Sequence, residues 1–337
     1  MVATERQTVE QKRRAPSYFE YRPAPLRVTW EAPPLPVGAS STSPSVDLVM
    51  YDFGAVSLSF AIPIAGPFGD LVALAAVLRG NAHLLAESRR LVGQLMEMLE
   101  GAAARTRIEP LAEDYVIFEI GEWDPPMDAA TLYARHAALA AQILRAEVRP
   151  LSDQEVDGAT SLRGSFGPGD LTLIDTEAAL VFDPDAADVR AVVEFANAQL
   201  LEMRFLDQEL DDVLERSYEL LSRERRSPFV VFRLRNPDLW RVAQFQLDAA
   251  VLFERVTNAL KLIGEQYLTR IYQLVSRRFH LAEWDASITR KLQTVEGIYE
   301  KVTARTATRR MELLEWIIIA LIVIEILLPF LPKLTGT

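Results

Sequence analysis

The stretch GDLTLIDTEAALVFDPDAADVRAVVEFANAQLLEM, residues 169–203, decides how this chain is to be read. Two apolar, β-rich runs, Leu171–Ile174 and Ala178–Phe182, flank the polar triplet Asp175-Thr176-Glu177, a pattern that predicts a hairpin. Asp183-Pro184 closes the extended chain, and the apolar period then changes. Val189, Val192, Val193, Ala196, Leu200, Met203, Leu206, Leu210, Val213, Leu214 and Leu221 recur at steps of three and four. One long amphipathic helix, residue 186 to about 222, follows from that spacing. A strand-rich half therefore ends near residue 183 and a helical half begins.

Upstream, VDLVMYDFGAVSLSFAIPI reads as another hairpin, residues 46–52 and 55–62, turning at Asp52-Phe53-Gly54. Residues 67–79 and 82–100 have helical spacing and are separated by Gly80-Asn81. Residues 115–120 form a strand, and Asp128 caps a helix reaching about Glu147. The segment 152–170, SDQEVDGATSLRGSFGPGD, reads as loop, its glycines favouring a turn over a phosphate cradle because they precede a strand. Residues 1–46 hold seven prolines and the run GASSTSPS, which predicts a disordered arm.

Downstream, Ser227-Pro228 and Asn236-Pro237 are breaks, and Asp238 caps a second long helix toward Phe279. A third, from Asp285, carries Ile288, Leu292, Val295, Ile298 and Val302 at near-heptad spacing, a coiled-coil-like seam. No helix breaker separates it from LLEWIIIALIVIEILLPFLPKL, residues 313–334. Residues 313–331 would make about 28 Å of helix, close to a hydrocarbon core of about 30 Å. Arg305, Arg309 and Arg310 precede the run and Lys333 follows it, which places the N-terminal bulk in the cytoplasm. Trp316 suits an interfacial anchor, and Glu325 is an acidic side chain expected to contact an identical anchor or, alternatively, to serve as a proton site.

The expected architecture is α+β: an N-terminal mixed α/β part with antiparallel hairpins, then a long-helix bundle or coiled coil continuing into one transmembrane helix. Its parts are an arm over 1–46, an α/β domain over 47–183, a helical domain over 184–310 and an anchor over 311–332.

Composition narrows the chemistry. Among 337 residues there is no cysteine, which removes disulfides, thiolate nucleophiles and Fe–S clusters. Thirty-six Lys+Arg against 47 Asp+Glu give a net charge of −11, unfavourable for nucleic-acid binding by the chain as a whole. Mean hydropathy is +0.07 although 25% of residues are charged, so apolar residues are concentrated in the tail. No P-loop, nucleophile-elbow, zinc-helix or dinucleotide motif occurs. His83, His136 and His280 are far apart in sequence, and the acidic run Asp207, Glu209, Asp211, Asp212, Glu215 reads as a solvated helix face. No cofactor or metal is expected. Arg223, Arg225, Arg226, Arg233 and Arg235, with Arg216, Phe229 and Phe232 among them, form the densest basic cluster and a candidate surface for an anionic partner, lipid headgroups or RNA.

The C-terminal stretch RRMELLEWIIIALIVIEILLPF, above all Leu314-Glu315-Trp316-Ile317-Ile318 followed by Leu321-Ile322 and Ile324-Glu325, resembles the C-terminal signature of a family of unknown molecular function named for being required for meiotic nuclear division. FGAVSLSF, the hairpin-to-helix stretch above and YLTRIYQLVSRRF extend the resemblance over about residues 46–330. Ser57 and Ser59 stand where typical members carry aromatics. The resemblance implies an inner-membrane protein, C-terminally anchored and homo-oligomeric, with mitochondrial members supporting organellar translation. It supplies no catalytic residues, and Glu315 and Glu325 match signature positions.

The expectation is thus a non-enzymatic, tail-anchored oligomeric scaffold that organises a cytoplasmic protein or the ribosome at the inner membrane, with Glu315, Trp316 and Glu325 serving anchorage and assembly. The alternatives are a membrane-bound enzyme with an unrecognised carboxylate/arginine site and an RNA- or ribosome-binding membrane tether.

Overall fold

The computed structural model of the chain describes residues 25–51, 53–99, 108–226 and 266–327. Its elements are β1 (Leu26–Glu31), β2 (Pro36–Val37), β3 (Ser40–Ser41), β4 (Ser45–Met50), β5 (Val56–Phe60), α1 (Asp70–Leu78), α2 (Ala82–Met98), β6 (Val116–Ile120), α3 (Ala129–Arg145), α4 (Asp153–Thr160), β7 (Arg163–Gly164), β8 (Leu171–Ile174), β9 (Ala178–Phe182), α5 (Ala187–Arg226), α6 (Gln266–Arg278) and α7 (Leu281–Leu327). The fold is mixed α+β with antiparallel sheets and helices. It divides into two compact units, the first ending at Phe205 and resuming from Leu252 to Asp285, the second holding Leu206–Val251 and Ala286–Thr337.

In the first unit β1, β4 and β5 form an antiparallel sheet in the order β1-β4-β5. The expectation of an arm is corrected over residues 25–46. LRVTWE alternates so that Val28 is buried, and its six residues pair with β4 from Leu26↔Met50 to Glu31↔Ser45. Pro33, Pro34 and Pro44 fall between strands, where no ladder amide is lost. The carbonyl of Pro44 also accepts from Ala32 N at 3.1 Å. Proline content alone therefore overstated disorder.

The second sheet runs β6-β9-β8-β7, with β8 and β9 antiparallel as the hairpin pattern requires. β6 pairs parallel to β9, from Val116↔Ala178 to Ile120↔Phe182, so α3, α4 and the hairpin's first strand lie between the two in sequence. All nine residues of β8 and β9 are buried. Continuous burial on both faces is what an inner strand pair without polar alternation demands. Phe118, Leu132, Ile143, Leu144, Leu173, Leu180 and Phe182 form one core cluster with α1 and α3. Each such side chain contributes on the order of 1.5–3 kcal/mol of transfer free energy.

The segment 152–170 is not all loop. Ser152 caps α4, its Oγ accepting from Glu155 N at 3.3 Å, and Arg163–Gly164 pairs with β8. Ser152-x-x-Glu155 is a capping-box pattern that compositional reading passes over.

In the second unit the remainder of α5 and α7 lie side by side. Ser287 Oγ donates to Asp207 Oδ1 at 3.1 Å, and Lys291 Nζ reaches Asp207 and Asp211 at 2.8 and 2.7 Å. On the same side of α7, Ile288 and Val295 are fully buried, as are Leu206 and Leu210 on α5. Ile288 and Val295 of the near-heptad seam are thus buried within the chain beside the residues that reach α5, and Leu292 and Ile298 are half-buried, so this part of the seam is no evidence for a coiled coil between copies; the Val302 side chain lies outside the described residues. Asp207 and Asp211 are lysine ligands rather than a merely solvated acidic face.

α7 continues without a break through the apolar run as far as Leu327. Among the described residues no helix is long and apolar enough to cross a membrane. Residues 313–327 give about 22 Å of helix, and residues 328–332 of the expected anchor lie outside the described residues.

Candidate functional site

The hairpin turn between β8 and β9 carries the most concentrated chemistry of the first unit. Asp175 N donates to Ala178 O at 2.9 Å, which closes the turn and directs the Asp175 side chain inward. The carboxylate is 1% exposed and lies against two guanidiniums, Arg145 Nε at 2.9 Å and Arg278 Nε at 3.4 Å. Arg145 comes from the last turn of α3 and Arg278 from the last of α6, so the ion triad fastens both helices to the sheet. Arg145 Nε approaches Asp175 Oδ2 off the hydrogen-bond direction, making that contact ionic. Burial pushes the Asp175 carboxyl up, opposed chiefly by Arg278 and then by Thr176 and Arg145.

Arg278 has further duties. Its Nε donates to Ile174 O at 3.3 Å, and Nη2 donates to Gly158 O at 3.1 Å and Ser161 Oγ at 3.3 Å, tying down the end of α4. The Tyr115 hydroxyl donates to Asp175 O at 2.9 Å, and burial, then Asp175, holds its pKa well above the usual phenol range. Next along the turn, Glu177 Oε2 meets Arg79 Nε at 2.8 Å.

Beside this turn lies a cavity of about 580 Å³, walled by apolar Phe118, Ile143, Leu144, Leu200 and Phe279 and rimmed by Arg79, Arg204, Arg278, Glu113, Asp114, Glu177, Asn197, His280 and Trp284. That volume lies within the range of small-molecule sites. Every arginine on the rim faces a carboxylate: Arg79 with Glu177, Arg204 with Glu113, Arg278 with Asp175. Asp114 accepts from Gly80 N at 3.3 Å. Asn197 and the Trp284 indole supply further polar groups beside these pairs. The cavity is suited to an amphipathic small molecule, whereas a fully charged one would have to displace an ion pair. Among the described residues no His/Cys/Asp/Glu group could hold a metal ion.

Two other carboxylates are placed by the fold. Glu194 of α5 accepts from Ser57 Oγ at 2.9 Å and Ser59 Oγ at 2.7 Å, with Arg27 at 3.8 Å. Those serines alternate along β5 onto one face, so the positions that depart from the resemblance join the first sheet to α5. Glu202 is buried, and its Oε1 has no hydrogen-bond partner among the described residues. Burial alone pushes its carboxyl up to about 7.

The residues singled out from sequence are not brought to this site. Glu315 is exposed on α7. Trp316 and Glu325 lie on the same helix, their side chains outside the described residues. Arg223, Arg225 and Arg226 occupy the end of α5, their side chains likewise outside, and Arg233 and Arg235 lie wholly outside. The Asp175 triad was missed because its partners are 30 and 103 residues away, at 145 and 278, and no local spacing links them. A charged residue between two wholly apolar strands was the available signal.

Residues 2–188, more than half of the chain, match a family model described as "Uncharacterized protein MJ0711, N-terminal domain". The similar protein "Uncharacterized protein MJ0711" of Methanocaldococcus jannaschii is 21% identical over 218 residues, covering 64% of this chain and 65% of that protein. The matched segment thus spans less than two thirds of the relative's own length. No solved structure matches. The match covers all nine described strands, the Asp175 turn and helices α1 to α4. The chain belongs to the uncharacterized family defined by the N-terminal domain of MJ0711.

Proposed function

We propose that the chain is a non-enzymatic, membrane-tethered scaffold whose C-terminal helix enters the inner membrane and whose larger part presents a surface to a cytoplasmic partner. The observation that carries this reading is on α7. Ile318 is 55% exposed, Ile319 49%, Leu321 60% and Ile322 50%, four large apolar side chains within five residues. Such a run is costly in water at about 25 cal/mol per Å² and favourable in lipid. Residues 328–331, Leu-Pro-Phe-Leu, add the length a span requires. Glu325 would sit in lipid at a cost of a few kcal/mol unless it contacts a second copy, which motivates homo-oligomerisation through Glu315, Trp316 and Glu325. The resemblance to the meiotic-nuclear-division family makes the ribosome the first cytoplasmic partner to test.

Membranes from cells making the full chain are washed with alkaline carbonate, beside a form ending at residue 310. The full chain stays in the pellet and the shortened form is released; release of both would overturn the tether. Glu325→Leu retains pelleting but lowers the oligomer size in detergent, and a strict monomer for the unaltered chain would remove the assembly claim.

The cavity at the hairpin turn favours a second reading, a small-molecule binding or catalytic site. Its test is quenching or enhancement of Trp284 fluorescence by amphipathic metabolites, abolished in Trp284→Phe.

A further inference from the structure

We propose that the exposed face of α6, together with Phe166, is a docking surface for single-stranded nucleic acid. Phe166 is 78% exposed, the largest exposure among the large apolar side chains described, yet its loop is held tightly. Phe166 N and Gly167 N donate to the Asp170 carboxylate at 2.7 and 2.6 Å, and Tyr267 OH donates to the same group at 3.1 Å. The Phe166 and Tyr267 rings meet edge to face at 5.6 Å, and the Arg270 guanidinium lies 5.8 Å from the Tyr267 ring centre. An aromatic pair fixed before any partner arrives loses little conformational entropy on binding.

The local fold builds this arrangement from a glycine. A Cβ on Gly164 would lie 3.1 Å from Leu274 Cδ1 and 3.4 Å from Ile271 Cδ1, so glycine lets β7 approach α6 without shifting those side chains. That approach brings the loop bearing Phe166 over the start of α6.

Charge decides the partner. The sequence of α6, QYLTRIYQLVSRR, has three arginines and no acidic residue, in a chain whose net charge is −11. Arg278 turns inward to Asp175, while Arg270, Gln273 and Arg277 are exposed at helical spacing that places them on one face. Among the described residues no carboxylate pairs with Arg270 or Arg277. The two lie about 10 Å apart along the axis. Asp170, beneath the aromatic pair, already accepts from three donors. An exposed aromatic ring braced edge to face by a second ring, with guanidiniums on the same helix, forms a platform that bases and phosphates together can occupy, and base stacking contributes about 1–3 kcal/mol per base. Such a surface reads backbone and ring faces rather than sequence.

The test is fluorescence anisotropy of a labelled twelve-nucleotide oligouridylate titrated with the full chain in detergent. Saturable binding at low salt is expected. Arg270→Ala with Arg277→Ala weakens it at least 10-fold and reduces the slope of log K against log salt by roughly 1.4, about 0.7 for each phosphate no longer neutralised. Phe166→Ala weakens it roughly 5-fold or more. Arg149→Ala, removing a guanidinium that is 86% exposed elsewhere in the same unit, leaves it unchanged. Circular dichroism of each variant verifies that the fold is retained. Absence of saturable binding, or equal weakening by Arg149→Ala, overturns the proposal. So does binding to anionic phosphatidylserine vesicles with which the oligonucleotide does not compete, which would make the surface a lipid contact.

Discussion

Ile288 and Val295 near the start of α7 are fully buried, whereas Ile318, Ile319, Leu321 and Ile322 near its end are about half exposed or more. Both groups belong to one unbroken helix. The first pair recurs at a spacing of seven among Lys291, Gln293, Thr294 and Glu296, so one face is apolar and a single neighbouring helix can cover it. The chain supplies that neighbour in α5, with Lys291 bound to Asp207 and Asp211 at the edge. The second group belongs to an uninterrupted apolar run, residues 316–324, whose sequence places apolar residues on every side of a helix, so a single neighbouring helix could cover only part of it. Periodicity therefore separates an apolar surface that the chain satisfies itself from one that needs an apolar solvent.

Substitutions can break or sharpen that contrast. The largest effect belongs to the buried charge of the first unit: Asp175→Ala takes the shared carboxylate from the partly buried Arg145 and Arg278 and should cost about 3–5 kcal/mol, read from the urea midpoint of the full chain. An unchanged midpoint would show that the triad is not what fastens α3 and α6 to the hairpin. Ile288→Ala, at a site with no exposure, should cost about 2–5 kcal/mol by leaving a cavity. Were it silent, the seam between α5 and α7 would not hold.

Glu202 makes a prediction in pH. Its carboxyl titrates at about 7 in the fold against the ordinary 4.5, so the fold keeps a proton that the unfolded chain has already released. Its contribution is complete below the unfolded value, declines as pH rises from about 4.5, and is gone above about 7. Glu202→Gln should flatten this window and raise stability at pH 8 by up to about 3 kcal/mol. Parallel pH profiles for the variant and the unaltered chain would contradict the burial of that charge. The smallest effect falls on the exposed run, where Ile319→Ala should change stability in detergent by no more than about 0.5 kcal/mol while weakening partition into vesicles.

Legibility followed locality. Leu171–Ile174, Ala178–Phe182 and the Asp128 cap stand where the sequence pattern puts them, because runs, turns and caps are encoded by neighbours. β1 was hidden by prolines that lie between strands, and α4 by a capping box of only four residues. The parallel pairing of β6 with β9 and the convergence of Arg145 and Arg278 on Asp175 depend on residues dozens to a hundred positions apart, and no periodicity carries such information. The near-heptad seam was visible, but its partner was not. A heptad specifies an apolar stripe, and a helix of the same chain fills it as readily as one from a second copy.

The central claim, that the end of α7 lies in lipid, is most directly tested through the absence of cysteine, which lets one thiol be introduced at a time. Ile319→Cys and Gln293→Cys forms of the full chain, labelled with an environment-sensitive fluorophore and reconstituted into vesicles, are read with spin-labelled lipids that quench at known depth. Blue-shifted emission and strong quenching for the label at 319, with water-like emission at 293, is the predicted result. Water-like emission at both positions would contradict the tether.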